Sequence, residues 1–219
     1  MSYYTGNNHY FKGLKRNVDG NFIYYTVPSF TALGVKHLFT TRYGGVSRGK
    51  FSSMNFNLNG NETRANIIKN FDIALSHIGC NVHHLAAPNL INLDYSSYQE
   101  PPSKPIRTNN IFVVTPDDTI KGVYLTAGWN TDALISDSPE IVLSGFYAGC
   151  IILLFFDPTR RVIGVANINW RGTAGDIAAR TVQKMTSEFG CSPENIVCAF
   201  GPSICPHCLV VNKHQVNTL

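Results

Sequence analysis

The chain has 219 residues, of which 44% are hydrophobic and 15% charged, and carries a formal net charge of +4. That length and composition suffice for one domain with a sizeable core, and they exclude disorder for most of the chain, collagen-like repeats and solenoids. The mild, dispersed positive charge argues against nucleic-acid binding and leaves room for a small anionic substrate.

The first 16 residues lack the apolar core of a signal peptide, so the expected location is the cytoplasm. Residues 22–27 and 37–41 are β-rich, and the second run ends in the turn-forming Tyr43-Gly44-Gly45. Ile67, Phe71, Leu75 and Ile78 recur at helical spacing, which predicts a helix over 64–78 with Thr63 as N-cap and Gly79 as stop. From 88 to 118 the chain is rich in Pro, Ser and Asn, and only 111–114 reads as a strand. The apolar stretch 141–156 is shorter than the roughly 20 residues of a membrane span and is broken by Ser144, Gly145 and Gly149, so it reads as two buried strands and not as a membrane helix. Strands over 141–147, 151–156 and 162–168 follow, the last two forming a hairpin through Asp157-Pro158-Thr159-Arg160. A helix opens at Gly172-Thr173-Ala174-Gly175-Asp176, carries Ala178, Val182, Met185 and Phe189 on one stripe, and ends at Gly190. A strand over 196–200 leads into the loop Gly201-Pro202-Ser203-Ile204-Cys205-Pro206-His207-Cys208. Strands and helices mix without strict βαβ alternation, so the expected fold is α+β with a mixed β-sheet core, flanking helices and a single domain over 1–219.

Cys150, between two apolar strands, reads equally as a buried small hydrophobe and as a ligand or nucleophile that approaches Asn167 across the hairpin. Arg171 and the amides and hydroxyl near Thr173 suit a phosphate or ribose oxygen at a helix start, although an exposed arginine is as often a surface ion pair. Arg42 stands beside Gly44-Gly45, where the backbone can approach closely. Ser53, Asn55 and Asn57 alternate with Met54 and Phe56, placing polar groups on one face that meets a ligand or water. Cys205, His207 and Cys208 offer three metal donors within four residues, but a structural zinc site needs a second pair elsewhere.

The blocks HLFTTRYGGVS, SSMNFNLNGN, TDALIS, FYAGCIILLFFDPTRRVIGVANINWRGT and AFGPSICPHC, in that order, resemble those of the polyphenol oxidase or laccase-domain family, understood as purine nucleoside phosphorylases. The resemblance runs from about residue 35 to the end of the chain. It implies a compact α+β fold similar to that of bacterial deamidating toxins, with zinc or copper held by two histidines and a cysteine. It also implies phosphorolysis of adenosine, inosine and methylthioadenosine, with deamination of adenosine. By position, Cys150 matches the metal cysteine, and Arg42, Asn55, Asp132, Trp170 and Arg171 are retained; Arg42 and Arg171 are expected in catalysis, and Asn55, Asp132, Trp170 and, from its place at the helix start, Thr173 in substrate binding. The implied partners are a purine nucleoside and phosphate, with the chain a monomer or weak homo-oligomer.

The sequence departs from the family pattern at the metal. Asn167 and Asn92 stand where the family has histidines, Gly149 replaces an aspartate, and the chain ends before a family segment that carries a Ser-His-Arg block. A carboxamide oxygen is a weak, hard donor for zinc, so Cys150 with two asparagines predicts poor metal retention. Three readings stay open: the family phosphorylase, a non-catalytic paralogue that keeps the fold and a ligand cleft, and a hydrolase with Cys150 as nucleophile.

Overall fold

The computed structural model describes residues 13–57, 62–88, 110–115, 125–127, 131–147, 149–205 and 207–210. The chain begins with β1 (Lys15–Asp19), β2 (Phe22–Thr26), the short α1 (Pro28–Ala32) and β3 (Phe39–Thr40), and β1, β2 and β3 form an antiparallel sheet in that order. Next come α2 (Arg64–Ser76), β4 (Leu85–Pro88), β5 (Asn110–Val113), β6 (Leu125–Ala127), β7 (Thr131–Ser136) and β8 (Val142–Leu143). The hairpin of β9 (Ile151–Asp157) and β10 (Val162–Ile168) leads into α3 (Trp170–Ala174), α4 (Ile177–Phe189) and β11 (Val197–Phe200). A five-stranded sheet runs β11-β9-β10-β7-β5, antiparallel except where β5 joins β7, and β6-β4-β8 form a parallel sheet. The expected α+β architecture with a mixed sheet is present. Among the described residues no helix is long and apolar enough to cross a membrane.

Alternation along β9 and β10 builds two cores. Ile152, Phe156 and Val165 pack with Phe30, Phe39, Ala86 and Leu134 on one face. Leu153, Phe155 and Ala166 meet Ile177 and Met185 of α4 on the other. The hairpin turn is set by Asp157, whose Oδ1 accepts from the N–H groups of Thr159 and Arg160.

Several expected elements differ in extent. The strand over 37–41 shrinks to β3, because His37 is tied to α1: its Nε2 accepts from the Val27 N–H at 2.7 Å and its Nδ1 faces the Val35 carbonyl at 2.9 Å. Of 141–147 only β8 is strand. A side chain at Gly145 would press on Ile152, so the segment is packed against the hairpin and not paired beside it. The helix expected to open at 172–176 is two helices, because Asp176 adopts a left-handed conformation (φ 54°) that no α-helix continues. The predicted α2 appears as drawn at its start, with Thr63 accepting from the Asn66 N–H, and stops two residues short of 78.

Asn70 of α2 is fully buried and anchors the 42–57 loop. Its Nδ2 donates to Ser47 Oγ and to the Asn55 carbonyl, and its Oδ1 accepts from the Val46 N–H. Asn70→Ala strands these groups, and a loss of about 2–4 kcal/mol is expected in urea unfolding, well above that of a surface Asn→Ala.

Burial pushes His37 below its ordinary value of 6.5, outweighing the opposing hydrogen bond to the Val35 carbonyl. Below 6.5 the unfolded chain takes up a proton that the folded imidazole resists, because Nε2 is already an acceptor. Stability therefore falls as pH drops from 6.5 through the lower folded value. Urea midpoints between about pH 7 and pH 5 should decline more steeply for the native chain than for His37→Gln.

Candidate functional site

The register of the five-stranded sheet defines the site. Asn167 on β10 pairs with Ile152 on β9, and the pairing of Ala166 with Ala133, continued one step, sets Asn167 opposite Asp132 of β7. Asp132, Asn167 and Ile152 thus form a row on the face away from α4, and all three line a cleft of about 1650 Å³. Leu154 and Val165 extend its apolar floor, Phe56 and Phe71 form an apolar wall, and Asn57, Asn169 and Arg171 supply further polar groups. Such an apolar cleft with few convergent polar groups has the make-up of a small-molecule site.

Asn167 is the polar centre of this row. Its Nδ2 reaches the Phe146 carbonyl at 3.4 Å, while its Oδ1 is buried with no partner among the described residues. A buried acceptor left unpaired costs about 1–3 kcal/mol, which a donor from a bound ligand would offset.

The remaining predicted residues lie around the cleft in different ways. Arg171 is exposed, lines the cleft, and lies 4.1 Å from the centre of the half-buried Trp170 ring, a cation–π contact that presents the guanidinium. Thr173 is exposed, and both its N–H and its hydroxyl donate to the Asn169 carbonyl. Asn169 Oδ1 accepts from the Gly172 N–H, so the amides expected to meet phosphate at this helix start are already engaged. Arg42 lies outside the cleft lining and braces its own loop, its Nη2 donating to the Ser52 carbonyl at 2.9 Å and to that of Lys50 at 3.3 Å. Asn55 also lies outside the lining, and its Oδ1 accepts from the Asn57 N–H. Cys150 is half-buried, immediately precedes β9 and is not among the lining residues. The register sets Asn167 against Ile152, so continuing the ladder brings Cys150 opposite Asn169 and not opposite Asn167. Asn92 lies outside the described residues.

Two residues escaped sequence reasoning. Asn169 was not singled out, although an Asn three residues before Gly172 is an N-cap signature. Asn57 shared the polar alternation with Ser53 and Asn55, and nothing in that alternation distinguished the residue that reaches the cleft.

The match to a family model, Multi-copper polyphenol oxidoreductase laccase, spans residues 36–219, and the chain belongs to that family. It is 31% identical over 183 residues to the purine nucleoside phosphorylase YlmD of Bacillus subtilis (strain 168), covering 83% of this chain and 60% of that protein. It is also 31% identical over 173 residues to a purine nucleoside phosphorylase of Deinococcus radiodurans, covering 79% of this chain and 58% of the relative. In three dimensions it is similar to the crystal structure of the Bacillus licheniformis hypothetical protein YfiH, with TM-score 0.75, 25% identity, and coverage of 93% of this chain and 70% of that one. The chain therefore spans about three-fifths of the length of these two curated relatives.

The metal implied by the family resemblance does not fit the donors present. Among the described residues no three His, Cys, Asp or Glu side chains gather to hold an ion. The residue at the cleft's polar centre offers a carboxamide oxygen where zinc or copper favours imidazole. Equilibrium dialysis with zinc against a chelating buffer should leave the native chain without stoichiometric metal at Cys150. Asn167→His should tighten retention by about tenfold, the scale on which a ligand position or its support alters affinity. Stoichiometric zinc in the native chain that is lost in Cys150→Ala would contradict this.

Proposed function

We propose that the chain binds a purine nucleoside and phosphate in the cleft beside Asn167, and that its phosphorolytic turnover is weak because the donor set for a metal is replaced by carboxamides. The unpaired, buried Oδ1 of Asn167 in a cleft of about 1650 Å³ carries this reading. A purine presents N–H donors and a ribose presents hydroxyls, and either satisfies that acceptor. The phenyl rings of Phe56 and Phe71 suit the apolar faces of a base. Asp132, beside Asn167 in the row, is placed to accept from ribose hydroxyls, and Arg171 at the cleft wall is placed to hold a phosphate.

In the proposed reaction a phosphate oxygen attacks the anomeric carbon as the bond to the purine nitrogen breaks, and the departing base takes up a proton. Arg171 contributes by orienting the phosphate and screening its charge. The site lacks the imidazole of the family pattern at position 167 and the carboxylate at position 149. Losing general acid–base help of this kind typically costs about 10²–10⁴ in rate. The family's names in its relatives support the substrate class; the weak turnover rests on these residues alone.

The test combines binding and turnover. Calorimetry with adenosine, inosine and methylthioadenosine should detect binding of at least one. Asn167→Ala should weaken it by about tenfold, equivalent to about 1.4 kcal/mol, and Arg171→Ala should abolish any dependence on phosphate. Release of adenine or inosine should be slow, with or without zinc. Absence of binding by all three nucleosides would remove the proposal, and fast zinc-dependent release would restore the full family activity.

A further inference from the structure

The loop after β11 carries chemistry that the cleft does not use. Its backbone is fixed to the hairpin: Gly201 N–H donates to the Ile152 carbonyl at 2.8 Å, and Ile204 N–H donates to the Gly149 carbonyl at 3.1 Å. The next residue is Cys205, whose carbonyl accepts from the N–H groups of Cys208 at 3.0 Å and Leu209 at 3.1 Å. This single turn brings a half-buried thiol and an exposed thiol together, and Cys205 beside it holds the Cys208 thiol above its ordinary value of 9.0. Residues three apart in such a turn have Cα atoms closer than about 7 Å, near the 4.4–6.8 Å that a disulfide spans. The sequence Cys-Pro-His-Cys also has the two-residue spacing at which cysteine pairs exchange between dithiol and disulfide.

A soft-metal clasp is the competing chemistry, but Cys205, His207 and Cys208 do not gather into a donor group, and no other described His, Cys, Asp or Glu completes one. All six cysteines are free thiols. Cys191 is fully enclosed, its thiol pushed up to about 12 by burial first and by the facing Asp157 carboxylate, which makes it an unreactive internal reference.

We propose that Cys205 and Cys208 form a reversible dithiol–disulfide site whose oxidation state is passed to Cys150 through the bond from Ile204 to Gly149. The oxidant is a small disulfide such as oxidised glutathione. One protein thiolate attacks a sulfur of that disulfide, releasing one small thiol and leaving a mixed disulfide. The neighbouring thiolate then displaces the second small thiol and closes the protein disulfide. Two protein thiols are oxidised, one small disulfide is reduced to two thiols, and the two protein protons go to the departing thiolates. Closing the ring constrains the turn that begins at Cys205, and Ile204, next in the chain, holds the carbonyl of the residue before Cys150.

The full chain, equilibrated in glutathione buffers of graded composition, quenched with acid, alkylated and mapped by peptide mass spectrometry, tests this. The fragment carrying both cysteines should lose the mass of two hydrogens, regain it with dithiothreitol, and leave Cys191 unmodified until unfolding. Cys208→Ser should yield a single glutathione adduct at Cys205 in place of the disulfide. The alkylation rate of Cys150 should change by about threefold between the two states through altered access. Free thiols in every buffer, separate glutathione adducts on the native chain, or zinc that protects both thiols and prevents the disulfide would overturn the dithiol site. An unchanged Cys150 rate would overturn the coupling. The native-chain measurement stands even if the variant fails to fold.

Discussion

The register of β9 against β10 is the constraint from which the rest of the molecule follows. Each strand has seven residues, and alternate side chains serve different cores. A slip of one residue would turn Val165 and Ile152 toward α4 and drive Ala166 and Leu153 into the cleft. Misplacing one large aliphatic side chain costs about 1.5–3 kcal/mol, so several together exceed the roughly 5–15 kcal/mol that holds a domain folded. Asp157 fixes the register at the turn. Burial opposes its charge, but the N–H groups of Arg160 and Thr159, the facing Cys191 and the Arg160 charge together leave its carboxyl below the ordinary value of 3.8. The carboxylate therefore favours the folded turn above pH 3.8, and that contribution is lost as pH falls through the lower folded value.

The 42–57 loop shows how residues that look functional in a sequence can be consumed by structure. Arg42 spends its guanidinium on the carbonyls of Lys50 and Ser52. Ser53 Oγ donates to the Arg42 carbonyl and accepts from the Gly45 N–H. A side chain at Gly45 would collide with the Ser53 carbonyl and Met54 Cα, so the glycine is required by the turn itself. Asn70 ties this loop to α2, and through Phe56 and Asn57 the loop reaches the cleft. These polar residues act on the site by holding its wall in place.

The sequence announced the elements whose signals are local and redundant. The hairpin had two apolar runs and an Asp-Pro turn, α2 had an N-cap and a periodic stripe, and α4 ended at Gly190 as its left-handed φ of 65° requires. What was not legible depended on tertiary partners. His37 left its β-rich run because the Val27 N–H needed an acceptor. The 141–147 run gave up pairing because Gly145 lies against Ile152. In the site, the row of Asp132 and Asn167 was hidden because β7 and β10 are 25 or more residues apart in sequence while adjacent in the sheet. The nearness of Cys150 and Asn167 was overstated by a hairpin picture that did not count the register.

The asparagine at position 167 sets what the cleft can ask of a ligand. A neutral imidazole offers one strong donor atom to a metal and one N–H to a supporting group. A carboxamide offers one acceptor and two N–H donors, and here one donor is directed at the Phe146 carbonyl while the acceptor has no partner among the described residues. A carboxamide at this place therefore has directionality toward hydrogen-bond donors and offers no ligand atom suited to zinc. Asp132, next along the row, is also an acceptor when ionised, so in the function proposed above the row favours a ligand edge rich in N–H and O–H groups. In the function proposed above, recognition of such an edge needs no metal, because it needs no strong Lewis base. Bond cleavage asks more of such a site, since polarising a leaving group requires a charge or proton that a carboxamide cannot supply.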